Sequence, residues 1–148
     1  MTPDIAVQLK SPRWKALLKP CCKTVRAAVG AALREASGDR CRVSEMTVVL
    51  AGDDFIRDLN RTYRGKNKPT NVLAFPHETG GDIILALETI SREAKEQGKS
   101  CKDHAAHLMV HGTLHLLGYD HKRKKDAGRM EALEAKILRK LGVENPYL

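Results

Sequence analysis

The spacing of apolar residues changes along the chain from a strand-like to a helix-like period. Short alternating or β-branched runs predict four β-strands, at 4–9, 44–51, 71–75 and 82–87. Apolar residues three or four positions apart predict helices at 14–18, at 22–36 and from Asp53, which we expect to cap its helix, to Tyr63. Pro76 is expected to stop the third strand, because proline cannot donate to a sheet ladder.

The last third of the chain is predicted to be helical. A short polar helix at 90–97 precedes a long helix that Asp103 caps and Gly118 ends, and an amphipathic helix at 123–141 follows. The long helix has apolar residues on most of its faces, which is typical of a buried helix. The order of elements predicts an α+β fold, in which a small mixed β-sheet packs against helices.

Size and composition fit one globular domain. The chain has 148 residues, 42% of them apolar and 30% charged, which argues against a disordered, collagen-like or disulfide-stapled chain. No repeat or low-complexity linker marks a boundary, so a single domain over 1–148 is predicted. No apolar run reaches the ~20 residues that span a bilayer, and the N-terminus lacks the apolar segment of a signal peptide.

The cysteines bear on the redox compartment. Cys21, Cys22, Cys41 and Cys101 are irregularly spaced, and no two of them form a C-x-x-C motif. Reduced thiols in a cytoplasmic protein are the favoured interpretation, with a disulfide pair as the alternative. A cytoplasmic location is therefore expected.

The net charge turns a generic domain into a candidate nucleic-acid-binding protein. The chain has 26 Lys and Arg against 18 Asp and Glu, a net charge of +8, which favours a polyanionic partner. Only 4% of the residues are aromatic. Modules that read single-stranded RNA depend on stacking rings. We therefore expect an RNA-binding site here to hold the backbone of the RNA.

Three histidines in the eleven-residue segment His111–His121 predict a metal site. On the long central helix, His111 and His115 lie one turn apart on one face. Gly118 then allows a chain reversal through which His121 reaches back as a third ligand. The spacing H-x-x-x-H-x-x-G-x-x-H is the skeleton of the metzincin zinc site. Imidazole ligands favour zinc here, although nickel, copper and iron also accept them.

One position departs from the metzincin pattern. Gly112 stands where a metalloprotease keeps the glutamate that acts as general base, so the usual route to peptide hydrolysis is missing. A zinc ion with an open position can lower the pKa of bound water to ~7 and polarise a phosphoryl oxygen. The pattern predicts a metal centre on a protein that is not a peptidase, and it leaves metal-activated water and His107 open as the general base.

Other polar residues near the motif have two interpretations each. His104 and His107 share the face of His111 and His115, so this face is expected to line a cleft. His107 either supports the ligands or the substrate, or makes a structural hydrogen bond. Asp120 either orients a ligand imidazole or forms a turn. His77 is interpreted as a loop residue.

The histidine segment H-G-T-L-H-L-L-G-Y-D-H is one of several blocks that stand in a characteristic order. The others are L-N-R-T-Y-R-G-K-N-K-P-T-N-V-L-A-F-P (59–76), G-D-I-I (81–84), M-E-A-L-E (130–134) and N-P-Y (145–147). Together they resemble the bacterial YbeY endoribonucleases, metalloproteins linked to maturation of ribosomal RNA. Two features depart from that family: Ala74 replaces a frequent serine, and the segment His77–Gly80 is shorter than the loop of many relatives.

The resemblance implies roles for particular residues. His111, His115 and His121 correspond to the family's zinc ligands, and Arg64 corresponds to a basic residue important for its work on RNA. An arginine beside an open metal position suits a phosphodiester, because its planar fork grips phosphate oxygens. Arg64 and His111 are the predicted catalytic residues, and one Zn²⁺ per chain is the predicted cofactor.

Two basic stretches, Arg57–Lys68 and Lys122–Lys125, lie beside these residues in sequence. Both are expected to attract RNA phosphates without sequence preference. Cations at the start of a helix oppose the helix dipole, which favours a functional role for the second stretch over a merely solvated surface.

The predicted protein is a zinc-dependent, single-strand-specific endoribonuclease. The resemblance implies a role in 3′-end maturation of small-subunit (16S) ribosomal RNA and in ribosome quality control. The expected partners are single-stranded ribosomal RNA and the small ribosomal subunit, with no membrane. Two alternatives remain open: a zinc metallohydrolase acting on a substrate other than RNA, and a ribosome-associated factor whose zinc is structural.

Overall fold

A four-stranded mixed sheet organises the chain. The structure is a computed structural model that describes residues 3–37, 43–120 and 122–147. Its elements are β1 (Asp4–Leu9), α1 (Trp14–Leu17), α2 (Cys21–Ser37), β2 (Glu45–Ala51), α3 (Asp53–Arg64), β3 (Val72–His77), β4 (Gly80–Ala86), α4 (Leu87–Glu96), α5 (Cys101–Leu116) and α6 (Lys124–Lys140). The α+β class predicted from the sequence is confirmed.

The strands lie in the order β1-β2-β4-β3. β1, β2 and β4 are parallel to one another, whereas β3 runs antiparallel to β4 and forms a hairpin with it. The central strands β2 and β4 are buried along most of their length, while the edge strand β1 alternates between exposed and half-buried residues. The near-continuous apolar runs of β2 and β4 follow from cover on both faces of the sheet.

The two faces of the sheet have cores of unequal size. Alternate residues of β2 and β4, such as Met46 and Ile83, face the larger core with α2, α5 and α6. Their neighbours, such as Val49 and Ile84, face a smaller core that contains Ile56 of α3. This alternation is the two-residue period of a strand. Helix α5 is thereby enclosed between the sheet and the other helices of the larger core.

Three predicted details of local structure are wrong. Gly52, not Asp53, is the N-cap of α3, because the Asp53 carboxylate instead accepts hydrogen bonds from the backbone N–H and the hydroxyl of Thr89, at 3.0 and 2.8 Å. Ser100, not Asp103, caps α5 and accepts a hydrogen bond of 3.0 Å from the Asp103 N–H. Strand β3 continues through Pro76, which is tolerated because β3 is an edge strand.

Two further expectations concern the cysteines and membranes. Cys21, Cys22 and Cys101 are free thiols, and Cys41 lies outside the described residues. No helix in the described part of the chain is long and apolar enough to cross a membrane.

Candidate metal centre

Helix α5 carries four histidines in a row along one face. The ring centroids of His104, His107, His111 and His115 are 6.2, 6.3 and 4.6 Å apart in sequence order. His111 and His115 line a cavity, whereas His104 and His107 are held within the fold by Glu93 and Glu134. The expectation that the whole histidine face lines one cleft is therefore wrong, because acidic residues of α4 and α6 pack against its first half.

The geometry of His111 and His115 suits two ligands of one ion. Their Nε2 atoms are 3.0 Å apart, and the other ring nitrogen of His111, Nδ1, is 3.0 Å from Glu134 Oε1. A carboxylate only accepts, so Nδ1 carries the proton and Nε2 keeps its lone pair. Two nitrogens that each lie about 2.0–2.1 Å from a tetrahedral zinc ion are about 3.3 Å apart. The described residues therefore fit a metal ion.

Glu134, on α6, is the functional candidate that sequence reasoning missed. Its side chain is fully buried and receives hydrogen bonds from His107 Nε2 at 3.0 Å, His111 Nδ1 at 3.0 Å and the Tyr147 hydroxyl at 2.8 Å. Burial raises the pKa of the Glu134 carboxyl, but the bonds from the two histidines and the tyrosine outweigh it and lower the pKa to about 2. The carboxylate that lies behind His111 is therefore ionised at neutral pH.

A clue to Glu134 was present in the sequence. Glu134 falls on the apolar stripe of α6, one turn from Met130 and one turn from Ile137 and Leu138, which are all buried. Acidic residues are almost never fully buried without a partner. A glutamate on such a stripe therefore points to a buried polar partner, although the stripe does not say which.

A second candidate ligand set overlaps the first. His107, His111 and Glu134 each offer a ligand atom within 4.8 Å of the others and could hold a metal ion. His111 belongs to both sets. In the first set Glu134 orients a ligand, as carboxylates behind metal-bound histidines commonly do, and in the second it is itself a ligand. The second set requires an ion to replace the protons that now join Glu134 to both histidines.

Three other residues that the sequence analysis considered are His121, Asp120 and His77. His121, the predicted third ligand, lies outside the described residues. Asp120 accepts a hydrogen bond of 2.6 Å from the Lys122 N–H, as a turn-forming aspartate does, and also lines the cavity. His77 is in the last position of β3, with Nε2 2.7 Å from Asp82 Oδ2, and so is a strand residue rather than a loop residue.

The cavity joins the histidine pair to Arg64. It has a volume of about 720 Å³, and its lining includes Arg64, His111, Gly112, His115, Asp120 and Lys122. Arg64 is the last residue of α3, and Gly65 follows with φ +67°, a left-handed conformation that ends the helix. The next loop is held to α3 by buried Asn60, whose side-chain amide donates to the Lys68 carbonyl at 2.9 Å.

Most of the positive charges beside the cavity have no acidic partner among the described residues. Earlier on α3, Arg57 and Arg61 pair with Asp54 and Asp58, each at 3.4 Å. Two other groups of cations have no carboxylate of the described residues within 4.0 Å. One group is Arg64, Lys66 and Lys68, and the other is Lys122, Arg123, Lys124 and Lys125. This local surplus attracts phosphate groups.

Two glycines shape the centre. A Cβ atom on Gly112 would lie 3.3 Å from Ile83 Cγ2, so the glycine allows α5 to approach β4 closely. A side chain at position 112, including a protease-like glutamate, would therefore press on β4. Gly118 follows the C-cap Leu117 with φ +98°, which glycine adopts without strain. The chain thus reverses immediately after α5, as the histidine spacing predicted.

Comparisons with known proteins give one consistent family. The profile of the family "Endoribonuclease YbeY" matches residues 6–142. Proteins named Endoribonuclease YbeY from Methylocella silvestris and Paramagnetospirillum magneticum are 40% and 42% identical to the chain, cover 99% of it, and are themselves covered over 87% and 97% of their lengths. The one from Halorhodospira halophila is 50% identical over 72% of the chain and 76% of its own length.

A solved structure shares the fold. The solution structure of a protein from Thermotoga maritima superposes with a TM-score of 0.64 at 26% sequence identity. The match covers 93% of this chain and 88% of that one.

Proposed function

The chain belongs to the YbeY family of endoribonucleases, and we propose that it is a single-domain, zinc-dependent enzyme that cleaves single-stranded RNA in the cavity between α3 and α5. The observation that carries this proposal is the cavity itself, which joins a histidine pair with ligand geometry to an arginine without an acidic partner among the described residues. A metal next to an unneutralised cation suits a phosphodiester substrate.

The proposed ligands are His111, His115 and His121. The first two present Nε2 atoms at a spacing that fits one ion. His121 follows the chain reversal at Gly118, and its part in the site rests on the sequence spacing alone. When bound, zinc supplies Lewis-acid chemistry, which polarises a phosphoryl oxygen and acidifies water.

The protein's own residues orient the ligands and hold the substrate. Glu134 accepts the Nδ1–H of His111 and so fixes the tautomer whose Nε2 faces His115. His107 is bonded to the same carboxylate, which supports a role behind the ligands and not as a general base. Arg64 donates to non-bridging phosphate oxygens and offsets the charge that develops there during cleavage.

The biological substrate follows from the family resemblance. We propose 3′-end maturation of 16S ribosomal RNA and ribosome quality control in the cytoplasm, with the small ribosomal subunit as partner. The basic groups flanking the cavity support an RNA substrate, because they offer phosphate contacts on both sides of the metal centre.

The test uses purified protein with a measured metal content. We expect about one zinc per chain and cleavage of a single-stranded RNA, and we expect His115→Ala to lose both. His77→Ala is the matched control, since His77 is on the hairpin and outside the cavity lining. Wild-type protein without bound metal, or His115→Ala protein that cleaves RNA at the wild-type rate, would refute the proposal.

A chelation experiment separates catalytic from structural zinc. For catalysis we expect chelation to abolish cleavage while the circular dichroism spectrum and thermal midpoint still report a folded protein. Unfolding on chelation would instead support a structural metal. Hydrolysis of a peptide library without RNA cleavage would favour a non-RNA metallohydrolase, against which the absence of a glutamate at position 112 already argues.

A further inference from the structure

An exposed aromatic side chain stands beside the proposed phosphate-binding arginine. Three large apolar side chains are exposed among the described residues, and Tyr63, with 67% exposure, is the most exposed. It directly precedes Arg64 in the last turn of α3. An aromatic ring of this size left in solvent forgoes much of the free energy that burial supplies.

The Tyr63 ring contacts a second ring, which packs against the core. Phe75 of β3 lies 5.4 Å from Tyr63 between ring centroids, with the planes at 63°. Phe75 is half-buried and packs on the smaller core with Leu59. Edge-to-face pairs of this kind are favourable arrangements of aromatic rings. Tyr63 thus contacts the core through Phe75, while most of its own surface stays accessible to solvent.

The ring pair and the metal cavity lie on opposite faces of one edge strand. Ala74 lines the cavity, and its neighbour Phe75 points to the other face, as alternate strand residues do. Arg64, next to Tyr63, reaches the cavity from the α3 side. Tyr63 and Arg64 are consecutive residues in the last turn of α3, at the edge of the sheet, so an RNA strand with a phosphate at Arg64 needs only to continue around this edge for an adjoining nucleotide to meet the Tyr63 ring.

The charge around Tyr63 indicates the chemistry of its partner. Arg64, Lys66 and Lys68 have no acidic partner among the described residues, and the loop that carries the two lysines is tied to α3 through Asn60. Such an array of cations favours a polyanionic partner. Proteins that bind single strands combine a basic groove with rings on which bases stack.

We propose that Tyr63, supported by Phe75, is a stacking subsite for an unpaired base next to the nucleotide whose phosphate Arg64 holds. The inference rests on the proposed function, since it concerns the same RNA. A base inside a duplex is stacked on its neighbours and is not available to the ring. The subsite therefore supplies a physical reason for a preference for single strands. It also adds a base-stacking contact to the backbone contacts that the low aromatic content predicted.

The test measures equilibrium binding of short RNA to protein kept with chelator, so that no cleavage occurs. We expect Tyr63→Leu to weaken binding about fivefold to hundredfold. Tyr63→Phe should bind like wild type, because the ring and not the hydroxyl does the stacking. Phe55→Leu is the matched control: it is an exposed aromatic on the same helix, about 12 Å away along the axis.

An abasic scan locates the base. Single abasic nucleotides are placed at successive positions, and one position should weaken wild-type binding while leaving Tyr63→Leu binding unchanged. The salt dependence of binding should be the same for both proteins, because no phosphate contact is lost. The inference is overturned if Tyr63→Leu binds as tightly as wild type, or if its loss is the same for intact and fully abasic RNA.

The binding arm also separates this inference from the proposed function. Wild-type protein that neither binds nor cleaves single-stranded RNA overturns both. Wild-type protein that binds and cleaves, with Tyr63→Leu unimpaired in binding, overturns the stacking subsite alone. Binding of a protein ligand that Tyr63→Leu abolishes, with RNA binding unaffected, assigns the ring to a protein interface and overturns the inference as well.

Discussion

Glu134 and Arg64 carry charges on the two sides of the candidate metal centre, and they differ in burial and in hydrogen-bond partners. Glu134 is fully buried, and three side chains donate hydrogen bonds to it. Arg64 is exposed at the end of α3 and has no ion pair with a described carboxylate. We call Glu134, Tyr147 and the histidines of α5 the histidine wall, and Arg64, Lys66 and Lys68 the cationic wall.

The difference in burial gives the two walls different physical properties. The histidine wall is organised by burial, because a buried carboxylate is tolerated only when its hydrogen bonds are satisfied. His107 and His111 are therefore oriented before any ligand arrives. The cationic wall acts through uncompensated charge at the surface, which attracts phosphate over a distance and depends on salt. Substitutions in the first wall should change stability and metal affinity, and those in the second should change RNA handling alone.

The largest expected effect follows removal of Glu134. Glu134→Ala leaves His107, His111 and Tyr147 without their common acceptor, and we expect a loss of about 3–5 kcal/mol in the free energy of unfolding. Glu134→Gln keeps the shape and should lose less stability, but metal affinity should still fall about 10- to 100-fold. Urea denaturation and competition with a zinc chelator measure the two effects.

Glu131→Ala is the control for that prediction, since Glu131 is half-buried on the same helix, one turn earlier. Unchanged zinc affinity in Glu134→Gln would mean that the tautomer of His111 does not depend on this carboxylate.

Arg64→Ala should give the next largest effect, on the cationic wall. Loss of one charge-stabilising group costs about 10²–10³-fold in rate in comparable sites, so we expect a reduction of that order in the single-turnover rate of RNA cleavage. Arg64→Lys should restore only part of it, because lysine lacks the planar fork.

Stability and zinc content should stay at wild-type levels in Arg64→Ala, because Arg64 is exposed. Arg61→Ala is the control: Arg61 lies on the same helix but is paired with Asp58. A fall in zinc content in Arg64→Ala would show that the two walls are not independent.

Tyr147→Phe tests the outer edge of the histidine wall. Burial and the Glu134 carboxylate raise the pKa of Tyr147, so its hydroxyl keeps its proton and donates to Glu134. Removing one hydrogen bond to a charged group should cost about 1.5–3 kcal/mol of stability. Thermal and urea unfolding measure it. The RNA affinity of chelated protein should not change, and a drop would place Tyr147 in the RNA path.

The smallest effects are expected from single lysines. Lys66→Ala and Lys122→Ala should each weaken RNA binding slightly and lower the slope of log affinity against log salt by about 0.7, the value for one phosphate contact on a single strand. Binding titrations across a range of salt concentrations measure the slope, with Lys95→Ala on α4 as the control. An unchanged slope for both variants would remove these cations from the RNA-binding surface.

The regular elements were predictable because their causes are local. Strand β1 has the predicted bounds, and the other strands and the long helices agree within a few residues, since alternation and helical spacing are properties of neighbouring residues. The predicted N-caps of α3 and α5 were both wrong, and for α3 the reason is a contact between residues that are distant in sequence. The Asp53 carboxylate accepts a hydrogen bond from Thr89, which is 36 residues away in sequence.

The candidate site was predictable in part. The spacing of His111 and His115 predicts two nitrogens facing one point, and the structure has their Nε2 atoms 3.0 Å apart. Arg64 was placed near them by family resemblance, and it lines the same cavity. His104 was expected to line the cleft with them. It is instead buried, which lowers its pKa, and its Nε2 atom is hydrogen-bonded to Glu93. Helical spacing says which residues share a face but not what packs against that face.

What the sequence by itself determined is the α+β class, the spacing of the histidines on α5, the absence of the protease glutamate at position 112 and the family. Each depends on residues that are close in sequence or on motif identity. Only the tertiary structure decided that Glu134 lies behind His111, 23 residues away, and that Tyr63 stands exposed on Phe75 beside Arg64. The physical reason is that burial and ring contacts depend on which elements meet across the fold, and local periodicity carries no record of that.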